Sequence, residues 1–214
     1  MRGLVAAFLS LVLVGCTPIA RASSPVAAVP VLESVFGNRF IVDLRYHTAD
    51  NFAKTDFYGP AHIDSCFVLP EAARALMKLV PELQKRKLKI VFWDYFRPIS
   101  VQWKMWKLVP DPRYVADPHT GSNHNRGAAV DMTLAHEDGT RLEMPTAFDS
   151  FEPTAHGDYV CPPNEKVRCE NRELLKSLMT KVGFEVLPTE WWHFQLPGAE
   201  KYPVGDRFEK KNAP

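Results

Sequence analysis

Hydrophobic and polar positions along the chain repeat with two different periods, which predict where strands and helices lie. Alternation rich in β-branched and aromatic residues predicts strands, and apolar residues at every third or fourth position predict helices with one buried face. The predicted strands are residues 39–46, 88–94, 127–134 and 191–196, and the predicted helices are residues 70–83, 100–108 and 170–182. We expect Pro81 to break or kink the first helix, because a proline inside a helix removes a backbone hydrogen bond.

These elements do not follow the regular strand–helix–strand rhythm of a parallel α/β protein. The sequence contains no internal repeat, glycine-rich phosphate loop or low-complexity tract. The pattern therefore predicts an α+β fold with a central antiparallel sheet flanked by helices. We expect it to form a single domain from residue 31 to residue 214.

Composition and charge narrow the function only a little. The 214-residue chain is 46% hydrophobic and 24% charged, and its formal net charge at pH 7 is +1. Such values suit one globular domain with a sizeable core. A nearly neutral chain has no bulk electrostatic reason to bind nucleic acid or a membrane surface. We therefore expect no nucleic-acid partner, and we expect any ligand to be recognised by a specific site.

Residues 1–22 have the layout of a secretory signal, with an apolar run at residues 4–14 that is too short to span a bilayer. Cys16 follows this run as in bacterial lipoproteins, where cleavage falls before the cysteine and its thiol receives lipid. A cut after Ala22 would instead give a soluble exported protein, and a chance apolar start on a cytosolic protein is a third alternative. The favoured prediction is an exported protein of the periplasm or cell envelope, attached to a membrane only through Cys16, with residues 23–30 as a tether.

Export also permits disulfides. Besides Cys16, the chain contains Cys66, Cys161 and Cys169, and the last two bracket a short loop at residues 162–168. We predict a disulfide between Cys161 and Cys169 and a free, buried thiol at Cys66.

One polar stretch places an imidazole and a carboxylate at fixed spacing. His124 and Asp131 are separated by small residues at 127–129, which let the chain pass close to an ion. By itself this pair is weak evidence, since a surface histidine and a solvated or capping aspartate explain it as well. A catalytic zinc ion takes three protein ligands and leaves a position for water, so a third ligand is needed.

His193 supplies that ligand, and Glu190 lies three residues before it. On an ideal strand residues three apart point to opposite faces, so both converge on one ion only if a turn or bulge follows Pro188. The indoles of Trp191 and Trp192 would exclude water from such a site. The alternative is an aromatic core strand that begins with an exposed glutamate.

These motifs resemble a known family. The pattern Ser122-x-His124-x-x-Gly127-x-Ala129-x-Asp131, followed by Glu190-x-Trp192-His193, resembles the zinc D-alanyl-D-alanine dipeptidases of peptidase family M15, which include the vancomycin-resistance dipeptidase. Residues 43–52 resemble the N-terminal signature of that family, and Arg97-Pro98 resembles its arginine motif. The resemblance covers nearly all of the predicted domain.

The resemblance implies hydrolysis of D-alanyl-D-alanine to D-alanine in cell-wall peptide metabolism, with one Zn²⁺ per chain at the sheet. His124, Asp131 and His193 would be the zinc ligands. Glu190 would be the catalytic base and Arg97 the transition-state arginine. Arg97 has an alternative role as a structural ion-pair partner of Asp94, three residues before it.

Three further positions match substrate contacts of the family: Tyr46, Ser122 and Asp149, the last two near the amino terminus of the substrate. Asp149 would otherwise be explained as a loop-capping aspartate. The sequence departs from the family at residues 95–97, where Tyr-Phe-Arg replaces the usual Gly-Tyr-Arg, and at Asn123, where serine is frequent. The first departure bears on the shape of the pocket wall.

Two other functions remain open at this stage. A D,D- or L,D-carboxypeptidase that trims longer wall peptides would be favoured if residues 110–119 left an open cleft. A zinc-containing module that binds peptidoglycan without cutting it is the other alternative. Glu190 and Arg97 together argue against that module, because binding needs no carboxylate to activate water.

Overall fold

The computed structural model describes residues 26–27, 29–30, 37–63, 67–206 and 208–209, of which the three short pairs are described by their backbone alone. The predicted lipidation site Cys16 and the predicted free thiol Cys66 lie outside these residues. The boundaries of the leader and the tether therefore stay predictions.

Strands and helices mix along the described part of the chain. The strands are β1 (Val26–Ala27), β2 (Val29–Pro30), β3 (Phe40–Val42), β4 (Phe67–Val68), β5 (Leu88–Asp94), β6 (Ala129–His136), β7 (Glu185–Val186), β8 (His193–Gln195) and β9 (Phe208–Glu209). The α-helices are α1 (Pro70–Met77), α2 (Val80–Arg86), α3 (Ile99–Leu108) and α4 (Lys166–Lys181). Single turns of 3₁₀ helix include Arg45–His47 and His124–Arg126.

A five-stranded sheet with the order β3-β5-β6-β8-β7 forms the centre of the fold. The pairs β5–β6, β6–β8 and β8–β7 are antiparallel, whereas β3 runs parallel to β5. Parallel neighbours need a long crossover, and here α1 and α2 lie in the segment between β3 and β5. The α+β class is confirmed, and the sheet is mixed at its β3 edge. Two short pairs, β1 with β9 and β2 with β4, lie outside this sheet.

Three predicted elements differ from the observed ones by more than two residues, for local reasons. β3 is shorter than predicted because Arg45–His47 forms a 3₁₀ turn. α4 begins earlier, at Lys166, because the 3₁₀ turn Pro163–Glu165 leads directly into it. The first helix is interrupted between Met77 and Val80, since Pro81 can occupy the first turn of a new helix but not the interior of a continuous one.

The main core lies between the sheet and the helices α1, α2 and α4. β5 and β6 form its centre, because nearly all their side chains are buried. From α4, Leu175, Leu178 and Met179 point into the same core at helical spacing. Each such side chain contributes about 1.5–3 kcal/mol by leaving water.

A second, smaller core packs beneath the loops that contain residues 46–58 and 110–121. It contains Tyr46, Phe57, Tyr58, Val101, Met105 and Val115. Val101 and Met105 of α3 belong to the same cluster as Val115, so the helix supports the loop at residues 110–121. This loop carries part of the site described next.

Cys161 and Cys169 form a disulfide, which ties the loop before α4 to the first turn of that helix.

Within the residues that the structure describes, no helix has the length and apolar character needed to cross a membrane.

Candidate active site

The sheet itself brings two of the predicted metal ligands together. Asp131 on β6 and His193 on β8 are directly opposite each other in the register, so their side chains project from the same face. His124 arrives from the neighbouring 3₁₀ turn His124–Arg126, which ends at Gly127 with φ of 66°. A left-handed residue lets the chain reverse there and enter β6.

The donor atoms of these three side chains form a nearly equilateral triangle. His124 Nε2 lies 3.1 Å from His193 Nδ1 and 3.2 Å from Asp131 Oδ1, and His193 Nδ1 lies 3.0 Å from the same oxygen. All three residues are buried. Among the described residues they form the cluster of histidine, cysteine and acidic side chains suited to holding a metal ion.

Hydrogen bonds on the far sides of both imidazole rings fix which nitrogen faces the triangle. His124 Nδ1 donates to the carbonyl oxygen of Tyr95 at 2.6 Å, which leaves Nε2 as an acceptor. His193 Nε2 donates to Gln195 Oε1 at 3.3 Å, which leaves Nδ1 as an acceptor. Asn123 Nδ2 donates to that same Gln195 oxygen at 2.8 Å and so keeps it turned towards His193. Such outer partners orient metal-binding histidines.

Three acceptors that face one another repel unless a cation lies between them. Burial raises the pKa of Asp131, but its charge and hydrogen-bond interactions with His124 and His193, in which a proton stands in for a metal cation, lower it by more. Nitrogen and oxygen ligands of a tetrahedral zinc ion lie about 2.0–2.2 Å from the metal, so they are separated by about the distances seen here. Two imidazoles and one carboxylate are also a known catalytic zinc set. The residues therefore fit Zn²⁺.

Glu190 lies beside the triangle without belonging to it. Its Oε2 is 3.9 Å from His193 Nδ1, and its side chain is 28% exposed to the cavity. The turn predicted after Pro188 is present, because the amide of Glu190 donates to the carbonyl of Leu187 and that of His193 to Glu190. Burial raises the pKa of Glu190 to about 7, against a lowering by His193. A carboxylate poised near neutrality suits a general base.

Arg97 follows β5 and reaches the cavity from the other side. Its Nε and Nη2 donate to Asp94 Oδ2 at 3.1 and 2.6 Å, and its Nη1 donates to Gln102 Oε1 at 2.9 Å. The ion pair with Asp94, which the sequence offered as an alternative role for Arg97, is thus present. A guanidinium has five N–H donors, so two still remain for a ligand oxygen. The structural pairing and a substrate role are compatible.

Tyr46 and Asp149 form a second polar group in the same cavity. The Tyr46 hydroxyl donates to Asp149 Oδ1 at 3.0 Å, and the amide of Phe52 donates to Asp149 Oδ2 at 3.1 Å. Burial raises the pKa of Asp149 to about 7. A bound ammonium group would therefore find an anchored carboxyl group that has no cationic partner in direct contact among the described residues.

A cavity of about 650 Å³ joins these groups. All eight predicted catalytic, metal and substrate positions line it: Tyr46, Arg97, Ser122, His124, Asp131, Asp149, Glu190 and His193. Its outer wall is aromatic, because Tyr114 stacks on Phe151 with ring centroids 4.3 Å apart and Phe52 contacts Phe151 at 5.9 Å. Residues 112–116 therefore form part of the wall of this cavity, which is partly open to solvent.

Comparisons with known proteins identify the family. The model of the M15 peptidases described as D-Ala-D-Ala dipeptidase matches residues 28–213. The chain belongs to the M15 D-alanyl-D-alanine dipeptidase family. It is therefore a peptidase by class, and the resemblance carried by its motifs is confirmed.

Curated relatives of this M15 chain include two D-alanyl-D-alanine dipeptidases. The one from Escherichia coli K12 is 39% identical over 168 residues, covering 78% of this chain and 84% of the relative. The one from Enterococcus faecium is 28% identical over 192 residues, covering 80% and 91%. Among solved structures, a zinc complex of the vancomycin-resistance D,D-pentapeptidase VanY matches with a TM-score of 0.39 and 16% sequence identity. The match covers 64% of this chain and 76% of that chain, and this likeness is too remote to support a conclusion.

Several residues of this M15 site were not foreseen from the sequence. Gln195 lies two residues after His193 on a strand and so shares its face, a signal that could have shown it. Gln102 is a polar residue on the buried side of α3, which is a weaker signal. The stacking of Tyr114 on Phe151 joins two distant loops and had no local signature. Ser122, which was foreseen, also accepts a hydrogen bond from the amide of His124 at 3.2 Å.

Proposed function

We propose that this protein is a zinc-dependent dipeptidase that hydrolyses D-alanyl-D-alanine to D-alanine in cell-wall peptide metabolism. The observation that carries the proposal is the convergence of a His–Asp–His triangle, Glu190 and Arg97 on one cavity. Membership of the M15 family and the names of the relatives support the substrate.

The cavity can hold both ends of a short peptide. Asp149, fixed by Tyr46 and Phe52, is placed to pair with the substrate ammonium group. Ser122 lies on the same cavity wall and is the second contact that we assign to the amino-terminal part. The scissile carbonyl then lies between the triangle and Arg97.

When bound at His124, Asp131 and His193, zinc would supply a Lewis acid that lowers the pKa of a bound water and polarises the scissile carbonyl. Glu190 takes a proton from the attacking water as the new C–O bond forms. Arg97 donates its remaining N–H groups to the oxygen on which negative charge develops. The C–N bond then breaks, and Glu190 returns the proton to the leaving amine.

The wall of the cavity separates this proposal from the carboxypeptidase alternative. A longer wall peptide would have to extend past Tyr114 and Phe151, whose rings are in contact. The binding-module alternative is disfavoured because Glu190 and Arg97 are both directed at the cavity and are unnecessary for binding alone.

The test is to incubate zinc-loaded protein with D-alanyl-D-alanine and, separately, with a wall pentapeptide, and to measure released D-alanine. We expect turnover of the dipeptide and little of the pentapeptide. Glu190→Gln should retain zinc by metal analysis but lose about 10²–10⁴-fold in kcat, as for removal of a general base. Preferred cleavage of the pentapeptide would support the carboxypeptidase instead, and near-normal turnover by the variant would remove Glu190 from its role.

We propose further that the protein is exported to the periplasm or cell envelope and anchored by lipid on Cys16. The support is the leader-like residues 1–22 alone. Cell fractionation and metabolic labelling with palmitate would test this. Labelled wild type in the membrane fraction and unlabelled Cys16→Ser are expected, whereas equal distribution of both without label would contradict lipidation.

A further inference from the structure

Gln102 lies behind the active-site wall, out of contact with the cavity and fully buried on α3. A buried carboxamide is costly unless its oxygen and its NH₂ group both find partners. Gln102 has both. Its Oε1 accepts from Arg97 Nη1 at 2.9 Å, and its Nε2 donates to the carbonyl oxygen of Ala116 at 2.8 Å.

The two partners belong to different parts of the site. Arg97 is the cation that faces the scissile carbonyl in the proposed function. Ala116 belongs to the loop at residues 110–121, which also presents Tyr114 to Phe151 at the outer wall. One side chain thus contacts both the arginine and the backbone of the loop at residues 110–121.

The carboxamide also has little freedom to change partners. Its oxygen can accept from Arg97 but cannot bond the Ala116 carbonyl, and its NH₂ group can donate to that carbonyl but not to a guanidinium. Both bonds therefore form together only with the loop in place and the guanidinium turned as observed. Asp94, which the hydroxyl of Tyr58 also contacts, holds the other edge of Arg97.

We propose that Gln102 is a positioning residue that couples the loop at residues 110–121 to the orientation of Arg97. This inference rests on the proposed function for the meaning of Arg97. The inference goes beyond the proposed function because it assigns a positioning role to a residue that contacts neither a metal ligand nor the substrate. Loss of Gln102 releases the loop and the guanidinium together.

Gln102→Met removes both hydrogen bonds at similar side-chain length. We expect kcat for D-alanyl-D-alanine to fall about tenfold to 100-fold with a smaller change in KM, since displacement of a catalytic group by ~1 Å can cost about 100-fold. Limited digestion with trypsin should cleave after Arg113, whose side chain is 75% exposed, about fivefold to tenfold faster because the loop has lost one anchoring hydrogen bond. Fragment masses identify the cleavage.

Gln102→Glu separates the two contacts, because its carboxylate still accepts from Arg97 but has no NH₂ to donate to Ala116. We expect its kcat to fall clearly less than that of Gln102→Met, because the guanidinium keeps its acceptor and loses only the support of the loop, while tryptic cleavage after Arg113 is as fast as in Gln102→Met. Gln84→Met, on the exposed side of α2, is the matched control and should change neither measurement.

The proposal is overturned if folded Gln102→Met keeps the wild-type kcat and cleavage rate, or if both variants lower kcat equally. Circular dichroism and zinc content establish whether a variant is folded. If Gln102→Met does not fold, the cleavage rate of Gln102→Glu decides. Resistance of Gln102→Glu to trypsin equal to that of the wild type would then contradict the coupling. Absence of dipeptide turnover in the wild type would instead refute the proposed function, while the cleavage rates would still report on the loop.

Discussion

At the scale of single residues, the site depends on side chains that are turned the right way by their neighbours. His193 presents Nδ1 to the triangle only while its Nε2–H has an acceptor in Gln195. Asn123, a departure from the family pattern, holds the oxygen of Gln195 in that direction. The asparagine thus has a physical reason in this chain, because serine is too short to reach Gln195 from the same backbone position.

We predict that Gln195→Leu weakens zinc binding about tenfold to 100-fold, as loss of an outer partner of a metal ligand does. Competition with a chromophoric chelator measures the Kd. Gln195→Glu keeps an acceptor oxygen and should restore most of the affinity. An unchanged Kd in Gln195→Leu would show that His193 needs no help from this side chain.

At the scale of elements, the active site is assembled where strand ends and loops meet. β6 and β8 supply Asp131 and His193, and the loops at residues 110–121 and 148–152 meet over the cavity through Tyr114 and Phe151. The stack is half exposed, with 39% of Tyr114 and 45% of Phe151 accessible. Contact between two loops, rather than packing in the core, therefore forms this side of the cavity.

Tyr114→Ala should open the outer wall and let longer peptides reach the metal. We expect release of D-alanine from a wall pentapeptide to rise relative to release from the dipeptide, because the stack no longer blocks the extended chain. Tyr114→Phe preserves the ring and should behave like the wild type. If Tyr114→Ala leaves the ratio of the two rates unchanged, another part of the cavity sets peptide length.

Local patterns were enough to predict the longer elements but neither the two-residue strands nor the long-range partners. β5 was predicted with its observed bounds, since a continuous apolar run is a local signal. The parallel pairing of β3 with β5 was not, because no local pattern states which strand lies next to which. The same limit applies to the site: ligand spacing could be recognised in the motif, whereas the bonds of Gln102 to Arg97 and Ala116 depend on the folded chain.

At the scale of the whole molecule, the metal site joins segments that are far apart in sequence. The amide of Arg97 donates to the carbonyl of His124, and Asn125 Nδ2 donates to the carbonyl of Arg97 at 2.7 Å. The amide of Gly205 then bonds the carbonyl of Asn125 at 3.0 Å, which brings in the C-terminal segment. An ion held by the triangle would therefore link the centre of the sheet to this network.

Zinc removal should lower the stability of the whole domain, because an ion that binds only the folded state stabilises it by mass action. Free zinc at 100 times its Kd contributes about 2.7 kcal/mol to the free energy of unfolding. Melting curves of chelated and zinc-loaded protein should differ accordingly. Asp131→Ala removes one ligand and should abolish the zinc-dependent shift, whereas Glu190→Gln lies outside the triangle and should keep it. Identical melting of apo and loaded wild type would be incompatible with a metal held by these three residues, because an ion that binds only the folded state must raise the melting temperature.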